Sequence, residues 1–174
     1  MLRDITERSL GDIKREFRDI YNGNYQLMSS MLKSEIPLPE AYKAAIQYVL
    51  NDDLEQFFRQ PQLDTRMLQH LVDEFQKWGV SITSSSEIEL LAGQRLFRVQ
   101  KDLRPDPSHT EGLTRLVNSI RLLRQLKLPV NLWKSQNLFC ERREVMRKSI
   151  PIAADNAWQE QIDALADLLE VESF

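Results

Sequence analysis

Apolar residues recur at three- and four-residue spacing through most of the chain, and prolines divide the pattern into segments. Proline lacks a backbone N–H and clashes with the preceding turn, so each proline marks a helix boundary. Only residues 80–83 look extended, and a single short strand would have no partner. We therefore predict an all-α array of about seven or eight helices with short Pro-containing loops, in one domain spanning residues 1–174. The dividing prolines are Pro37, Pro39, Pro61, Pro105, Pro107, Pro129 and Pro151.

The first segment, residues 2–34, reads as a long amphipathic helix with one apolar stripe that faces the core. The Asn-Gly-Asn sequence at residues 22–24 interrupts this pattern and is expected to kink or divide the helix. The stripe consists of Ile13, Phe17, Ile20, Tyr21, Leu27, Met28, Met31 and Leu32.

Helix boundaries are predicted from residues that satisfy the free backbone groups at helix ends. Pro39 suits the first turn of the second helix. Asn51 is expected to end that helix and to cap a short one after it. Gly79 is the expected stop of the third helix, because glycine adopts the left-handed conformation without strain. Side-chain N-caps are predicted at Asp64, Ser84, Ser108, Asn131 and Asp155.

Composition places the chain among ordinary globular proteins. It has 174 residues, enough to fold around its own core without a disulfide or a metal. The single cysteine, Cys140, fits a reducing compartment, and we expect a cytoplasmic protein. No uncharged apolar run approaches the roughly 20 residues of a membrane span, so no membrane partner is expected.

Charge is distributed unevenly. Residues 115–148 hold six arginines and three lysines against two glutamates, whereas residues 149–174 hold six acids and no base, in a chain of net charge −3. The basic segment could contact phosphates. We favour an internal explanation, in which the acidic last helix lies across the two basic helices, so a nucleic-acid partner is not expected. The candidate phosphate contacts are Arg121, Arg124, Arg142, Arg143, Arg147 and Lys148.

Residues able to bind a metal or to act as a nucleophile are few. His70 and Glu74 lie one turn apart on a helix and could share a metal, but a zinc site wants a third protein ligand, and His109 lies in a separate loop. Cys140 has no histidine near it in sequence, and we expect it to be a small buried side chain. We therefore predict no metal, no cofactor and no catalytic residue.

Carboxylate pairs and tryptophans have structural explanations as well. The pairs Asp52 with Asp53 and Glu87 with Glu89 resemble the two acids of a sugar hydrolase. Both pairs are expected in first helical turns, where the helix dipole favours negative charge. Trp78 is expected to be buried. The same holds for Trp133, whereas Trp158 lies on a helix whose docking the pattern does not fix.

Three stretches resemble the C-terminal helical region, a domain of unknown function, of bacterial proteins related to glycoside hydrolase family 57. Residues 36–54 read IPLPEAYKAAIQYVLNDDL, residues 78–82 read WGVSI, and residues 128–141 read LPVNLWKSQNLFCE. The resemblance covers most of the chain. Its motifs are helix-and-turn patterns and include no catalytic signature.

The resemblance implies an accessory role. In such proteins catalysis belongs to an upstream β/α barrel, so the chain would support that barrel, line its cleft or mediate assembly. The implied partners are the N-terminal catalytic barrel of the same polypeptide and, as an option, further copies of the chain. One alternative is a helical module that binds protein or nucleic acid through the basic segment, residues 115–148. Another is a stand-alone enzyme with a pocket of dispersed residues.

Overall fold

The computed structural model describes residues 2–83, 85–104, 110–148 and 156–171, and these residues form seven helices and no strand. This confirms the predicted all-α class, and residues 80–83 form no strand. Within the same ranges, no helix is both long and apolar enough to cross a bilayer. The helices are α1 (Leu2–Lys33), α2 (Glu40–Arg59), α3 (Thr65–Trp78), α4 (Ser85–Asp102), α5 (Glu111–Gln125), α6 (Trp133–Lys148) and α7 (Asn156–Leu169).

Local sequence determines several helix ends as predicted. The Asp64 carboxylate accepts hydrogen bonds from two backbone N–H groups in the first turn of α3. Gly79 ends α3 with a φ of 62°. The Asn131 side chain accepts a backbone N–H of α6 at 3.0 Å. Pro39 is the residue just before α2. The other predicted caps, Ser84, Ser108 and Asp155, lie outside the described residues.

Two predicted interruptions are wrong. α1 continues through residues 22–24, where the Asn24 side chain donates to the Ile20 carbonyl at 2.9 Å. α2 continues past Asn51, whose side chain is bonded to the loop that follows α3. It accepts from the Thr83 N–H at 2.8 Å and donates to the Ser81 carbonyl at 3.2 Å. Asn51 therefore holds a distant loop instead of ending its own helix.

The helices form a connected array in which α1 lies at one edge. α1 contacts α2, which also contacts α3 and α4; α5 contacts α3, α4 and α7; and α6 contacts α4 and α7. A single apolar cluster runs through these contacts. Its largest fully buried side chains include Phe57, Phe58, Phe139, Met28, Ile46 and Leu50.

The acidic last helix packs against α5 and α6, as predicted. The contact is mostly apolar, because Trp158, Ile162 and Leu165 are 2% exposed or less. Among the described residues, one ion pair joins the two charge blocks, between Arg124 and Glu170 at 3.3 Å. Docking of α7 is thus confirmed, whereas apolar burial, and not charge neutralisation, accounts for most of it.

Three arginines each cover the C-terminal end of another helix. Arg95 of α4, which is 8% exposed, donates to three carbonyls at the end of α2 at 3.0–3.4 Å. Arg124 of α5 donates to a carbonyl in the last turn of α7 at 2.7 Å. Arg142 of α6 donates to three carbonyls at the end of α4 at 3.0–3.3 Å. Each guanidinium satisfies free carbonyls and opposes the negative end of the helix dipole.

Candidate interaction surface

The apolar stripe predicted for α1 does not face the core as a unit. Tyr21 and Met28 are buried, at 9% and 0% exposure, but Ile13 is 42% exposed and Leu27 is 52% exposed. Leu32, near the end of the helix, is 40% exposed. The prediction of a single core-facing stripe is wrong because α1 packs on α2 along one side only. Part of the stripe therefore faces away from the array.

We define the outer face of α1 as two parallel lines of residues. One line is apolar, with Ile13, Ile20 and Leu27 seven residues apart, and Ile20 half-buried. Residues seven positions apart are separated by about two helical turns and therefore lie on the same side of the helix. A Cβ added at Gly23, in the second line, would meet no atom within 4 Å. The second line is Glu16, Gly23 and Ser30, all exposed.

The inner side of α1 is held by a buried carboxylate from α3. Glu74 is 7% exposed, and its two oxygens accept three hydrogen bonds. The Tyr21 hydroxyl and Trp78 Nε1 donate to one oxygen, at 2.7 and 2.8 Å, and the Tyr25 hydroxyl donates to the other at 2.7 Å. Because α1 and α3 make no close backbone contact, these side chains bridge the gap between the two helices.

This hydrogen bonding keeps the carboxylate ionised. Burial favours the neutral acid, but the donors Tyr21, Tyr25 and Trp78, together with the charge of Lys77, outweigh that effect and lower the pKa of Glu74. Burial, followed by the hydrogen bond to Glu74, raises the pKa of Tyr21. The phenol therefore stays protonated and remains a donor to the carboxylate.

Lys77 adds a cation beside the same cluster. Its Nζ donates to the Tyr25 hydroxyl at 2.7 Å and to Ser29 Oγ at 3.0 Å. The ammonium also lies 4.1 Å from the centre of the Tyr25 ring and 4.4 Å from that of Trp78. Cations are attracted to the faces of aromatic rings, so Lys77 strengthens the contact between α3 and α1.

A second polar contact joins α1 to α2. Asp52 accepts from Lys14 at 2.5 Å and from Arg18 at 2.8 Å, and Asp53 accepts from Arg18 at 2.6 Å. The hydrogen bond that Arg18 donates to Asp53 is the main cause of the raised pKa of Arg18. Both acids lie in the middle of α2, so their predicted place in a first turn is wrong. They hold α1 and are not paired across a sugar-binding cleft.

Of the two acids predicted for the first turn of α4, only Glu87 lies there, and it forms an ion pair with Arg59 of α2 at 2.5 Å. Glu89 lies beyond the first turn and is half-buried. The dipole interpretation is therefore confirmed for Glu87 alone.

His70 and Glu74, the pair considered above as metal ligands, lie in different environments. His70 is exposed, whereas the oxygens of Glu74 are occupied by the three donors inside the array. His109 lies outside the described residues. In the part of the chain that the structure describes, no three His, Cys, Asp or Glu side chains are grouped as metal ligands would be.

Three single-residue predictions have mixed outcomes. Trp78 is buried as expected, at 8% exposure, and Trp158 is buried at 2%. Trp133 is 63% exposed, because it occupies the first turn of α6 beside its cap, where it turns away from the core. Cys140 is also exposed. The expected burial of Trp133 and Cys140 is therefore wrong.

A groove with both polar and apolar lining runs between α3 and α5. It consists of adjoining cavities of about 590, 520 and 390 Å³. Arg66, Arg115 and Arg121 line it, together with the acids Asp64 and Glu111 at one end. The lining also includes the amide side chains of Gln62, Gln69, Gln76, Asn118 and Gln125 and the apolar side chains of Leu63, Phe75, Val80, Ile82, Leu122, Leu126 and Leu128. The basic segment is thus divided, since Arg115 and Arg121 face this groove while Arg124 and Arg142 cover helix ends.

The cluster around Glu74 was not predictable from local sequence. Tyr21 and Glu74 are 53 residues apart, and neither belongs to a motif with a defined spacing. The available signal was the pair Tyr21 and Tyr25, one turn apart on α1. Two phenols on one face of a helix need polar partners when they are buried, but they do not identify those partners.

No family model, curated protein or solved structure matches this chain. The resemblance to the helical region of family 57-related proteins therefore stays a prediction.

Proposed function

We propose that the chain is a non-catalytic helical assembly module that binds another polypeptide through the outer face of α1. The observation that carries this proposal is the exposure of Ile13 and Leu27 on one side of an edge helix. Burying a leucine or isoleucine side chain contributes roughly 1.5–3 kcal/mol, so a partner that covers this line gains binding energy from each residue. An ordered edge helix presents that line without first having to fold.

Internal contacts support a role in binding over one in catalysis. The carboxylates of Glu74, Asp52 and Asp53 are occupied by donors within the fold. These contacts fix the direction of α1, and a fixed helix is what an interaction surface requires. Docking to a family 57-related catalytic barrel on the same polypeptide is the narrower prediction. Sequencing the coding region upstream of Met1 tests it.

The assembly proposal is tested by the size of the chain in an extract of cells that naturally produce it. We expect wild-type chain to migrate well above its 20.4 kDa mass in size-exclusion chromatography. Leu27→Glu, which places a charge on the outer face, should shift it to the monomer position. Leu90→Glu is the matched control, because Leu90 is 60% exposed on α4. Equal migration of Leu27→Glu and wild type would contradict the proposal.

A second candidate function follows from the groove between α3 and α5. Among the residues the structure describes, neither Arg66 nor Arg121 has an ion-pair partner, and both line one cavity with three amide side chains. Arginine and amide side chains are the usual contacts of a phosphodiester chain. We expect the chain to bind single-stranded DNA, and this binding to be lost in Arg66→Gln/Arg121→Gln and kept in Arg143→Gln. Binding unaffected by the double substitution would exclude the groove.

A further inference from the structure

We infer that the partner of the outer face of α1 is a second copy of this chain, paired antiparallel with its two-fold axis between Ile20 and Gly23. This inference rests on the proposed function and specifies the occupant of the same surface. It is carried by the shape of the face, by the charges along α1 and by the small residues near its middle.

The two lines of the outer face are complementary when one helix is reversed. The apolar line has large side chains, while its companion line has the small residues Gly23 and Ser30 and begins with Glu16. Reversal about an axis between residues 20 and 23 sets Ile20 beside the partner's Gly23 and Ile13 beside the partner's Ser30. At these two positions large side chains meet small ones, the arrangement that allows two helices to approach closely, and Leu27 lies beside the partner's Glu16. A parallel pair would instead place each large residue opposite itself.

Gly23 is suited to the closest point of this contact. It is exposed, and open space surrounds the position where a Cβ would lie. Glycine in the middle of a helix costs about 0.5–1 kcal/mol relative to alanine. No positive φ explains it, because Gly79 is the glycine with a positive φ among the described residues. Close approach of a second helix backbone explains a glycine at this place.

Charge favours the same orientation. Glu16 and Asp19 are exposed acids near the inferred axis, whereas residues 23–33 contain no acid. Of the neighbouring cations, Lys14 and Arg18 are bound to α2, and Arg15 pairs with Asp12 on α1 itself at 3.4 Å. Antiparallel pairing lays Glu16 and Asp19 beside the partner's acid-free residues, whereas parallel pairing sets each of these acids against its own copy. Like charges placed opposite each other destabilise a helix pair.

The test uses disulfide formation between copies, in a chain whose exposed Cys140 is first replaced by serine. Gly23→Cys lies next to the inferred axis, so we expect it to form a covalent dimer under mild oxidation. Ser30→Cys should not, because the two cysteines would be about 25 Å apart along the helix pair at a rise of about 1.5 Å per residue. A mixture of Ile13→Cys and Ser30→Cys chains should form the mixed dimer.

Sedimentation of the purified chain provides the second measurement. We expect a reversible monomer–dimer equilibrium, whose Kd rises at least roughly tenfold in Leu27→Glu because a carboxylate replaces a buried apolar group. Leu90→Glu should leave the Kd unchanged.

Each other outcome overturns the inference. Disulfides in both Gly23→Cys and Ser30→Cys would show a parallel pair. Dimers that depend on Leu27 but give no Gly23→Cys disulfide would show a different axis. A monomeric purified chain that still enters a Leu27-dependent complex in the extract would show that the partner is another protein. In that last case the assembly function would stand and the self-pairing would fail.

Discussion

The two sides of α1 differ in what they contact. The inner side buries Tyr21 and Met28 in the core and is also held by polar contacts, through Tyr21 to Glu74 and through Lys14 and Arg18 to Asp52. The outer side shows isoleucine and leucine to solvent. Directional hydrogen bonds fix the orientation of a helix more narrowly than apolar contact does, since apolar packing is not directional. The inner side therefore fixes α1 by apolar burial together with directional polar contacts, while Ile13 and Leu27 of the outer side stay exposed.

The largest expected effect comes from removing the buried carboxylate on the inner side. Glu74→Ala leaves three donors without an acceptor, and we expect the free energy of unfolding to fall by about 3–4 kcal/mol. Urea denaturation followed by circular dichroism measures this change. Asp73→Ala is the control, since exposed Asp73 accepts only from Gln69 among the residues that the structure describes, and it should change stability by less than about 0.5 kcal/mol. Similar losses of unfolding free energy in Glu74→Ala and Asp73→Ala would show that the hydrogen bonds to Glu74 do not anchor the inner side of α1.

A smaller effect is expected at the contact between α1 and α2. Asp52→Asn weakens two ion pairs at a carboxylate that is 12% exposed, and should cost about 1–2 kcal/mol. Asp53→Asn affects one pair at a side chain that is 28% exposed, so its loss should be less. Both costs are measured in urea at low and high salt. The reverse order would show that Asp53 is the main anchor of α1.

The lowered pKa of Glu74 predicts a dependence of stability on pH. The folded pKa lies below the unfolded one, so the stabilisation is complete above the unfolded pKa and is lost as pH falls through the folded pKa. We expect the stability advantage of wild type over Glu74→Gln to be constant from pH 7 to about pH 5 and to shrink at lower pH. Urea titrations at several pH values measure it. An advantage that grows under acid would contradict an ionised Glu74.

The smallest effect on stability is expected on the outer side. Leu27→Glu, measured at a concentration too low for association, should change the free energy of unfolding by less than about 0.5 kcal/mol. Leucine and glutamate have similar helix propensities, and Leu27 is already half exposed. A loss as large as that of Glu74→Ala would mean that Leu27 belongs to the core of the array.

Local sequence predicted the helices well and their faces less well. Asp64, Gly79 and Asn131 were identified as end residues because caps act within a few positions of the chain. The continuity of α2 through Asn51 was missed, since the residues that bind its side chain are about 30 positions away. The split of the α1 stripe was missed for the same reason, because only the position of α2 decides which apolar residues become buried.

The candidate surface, too, could be predicted from the sequence only in part. That Ile13, Ile20 and Leu27 share one side of a helix could be read from their spacing. That this side faces outward could not, since a seven-residue spacing suits a core-facing helix equally well. The arginine contacts could not be predicted for another reason. A guanidinium that covers a helix end binds backbone carbonyls, and because every residue carries a carbonyl, no sequence pattern identifies the partner.

The arginine-covered helix ends also bear on how the chain is made. α2 is completed by Arg95, and α4 by Arg142, each of which is synthesised after the helix it covers. A growing polypeptide that has reached only α3 therefore carries an α2 whose last carbonyls have not met their donor. The order of translation thus links the maturation of each of these helices to the arrival of a later one. Newly made N-terminal segments should accordingly stay sensitive to proteases until α6 has left the ribosome.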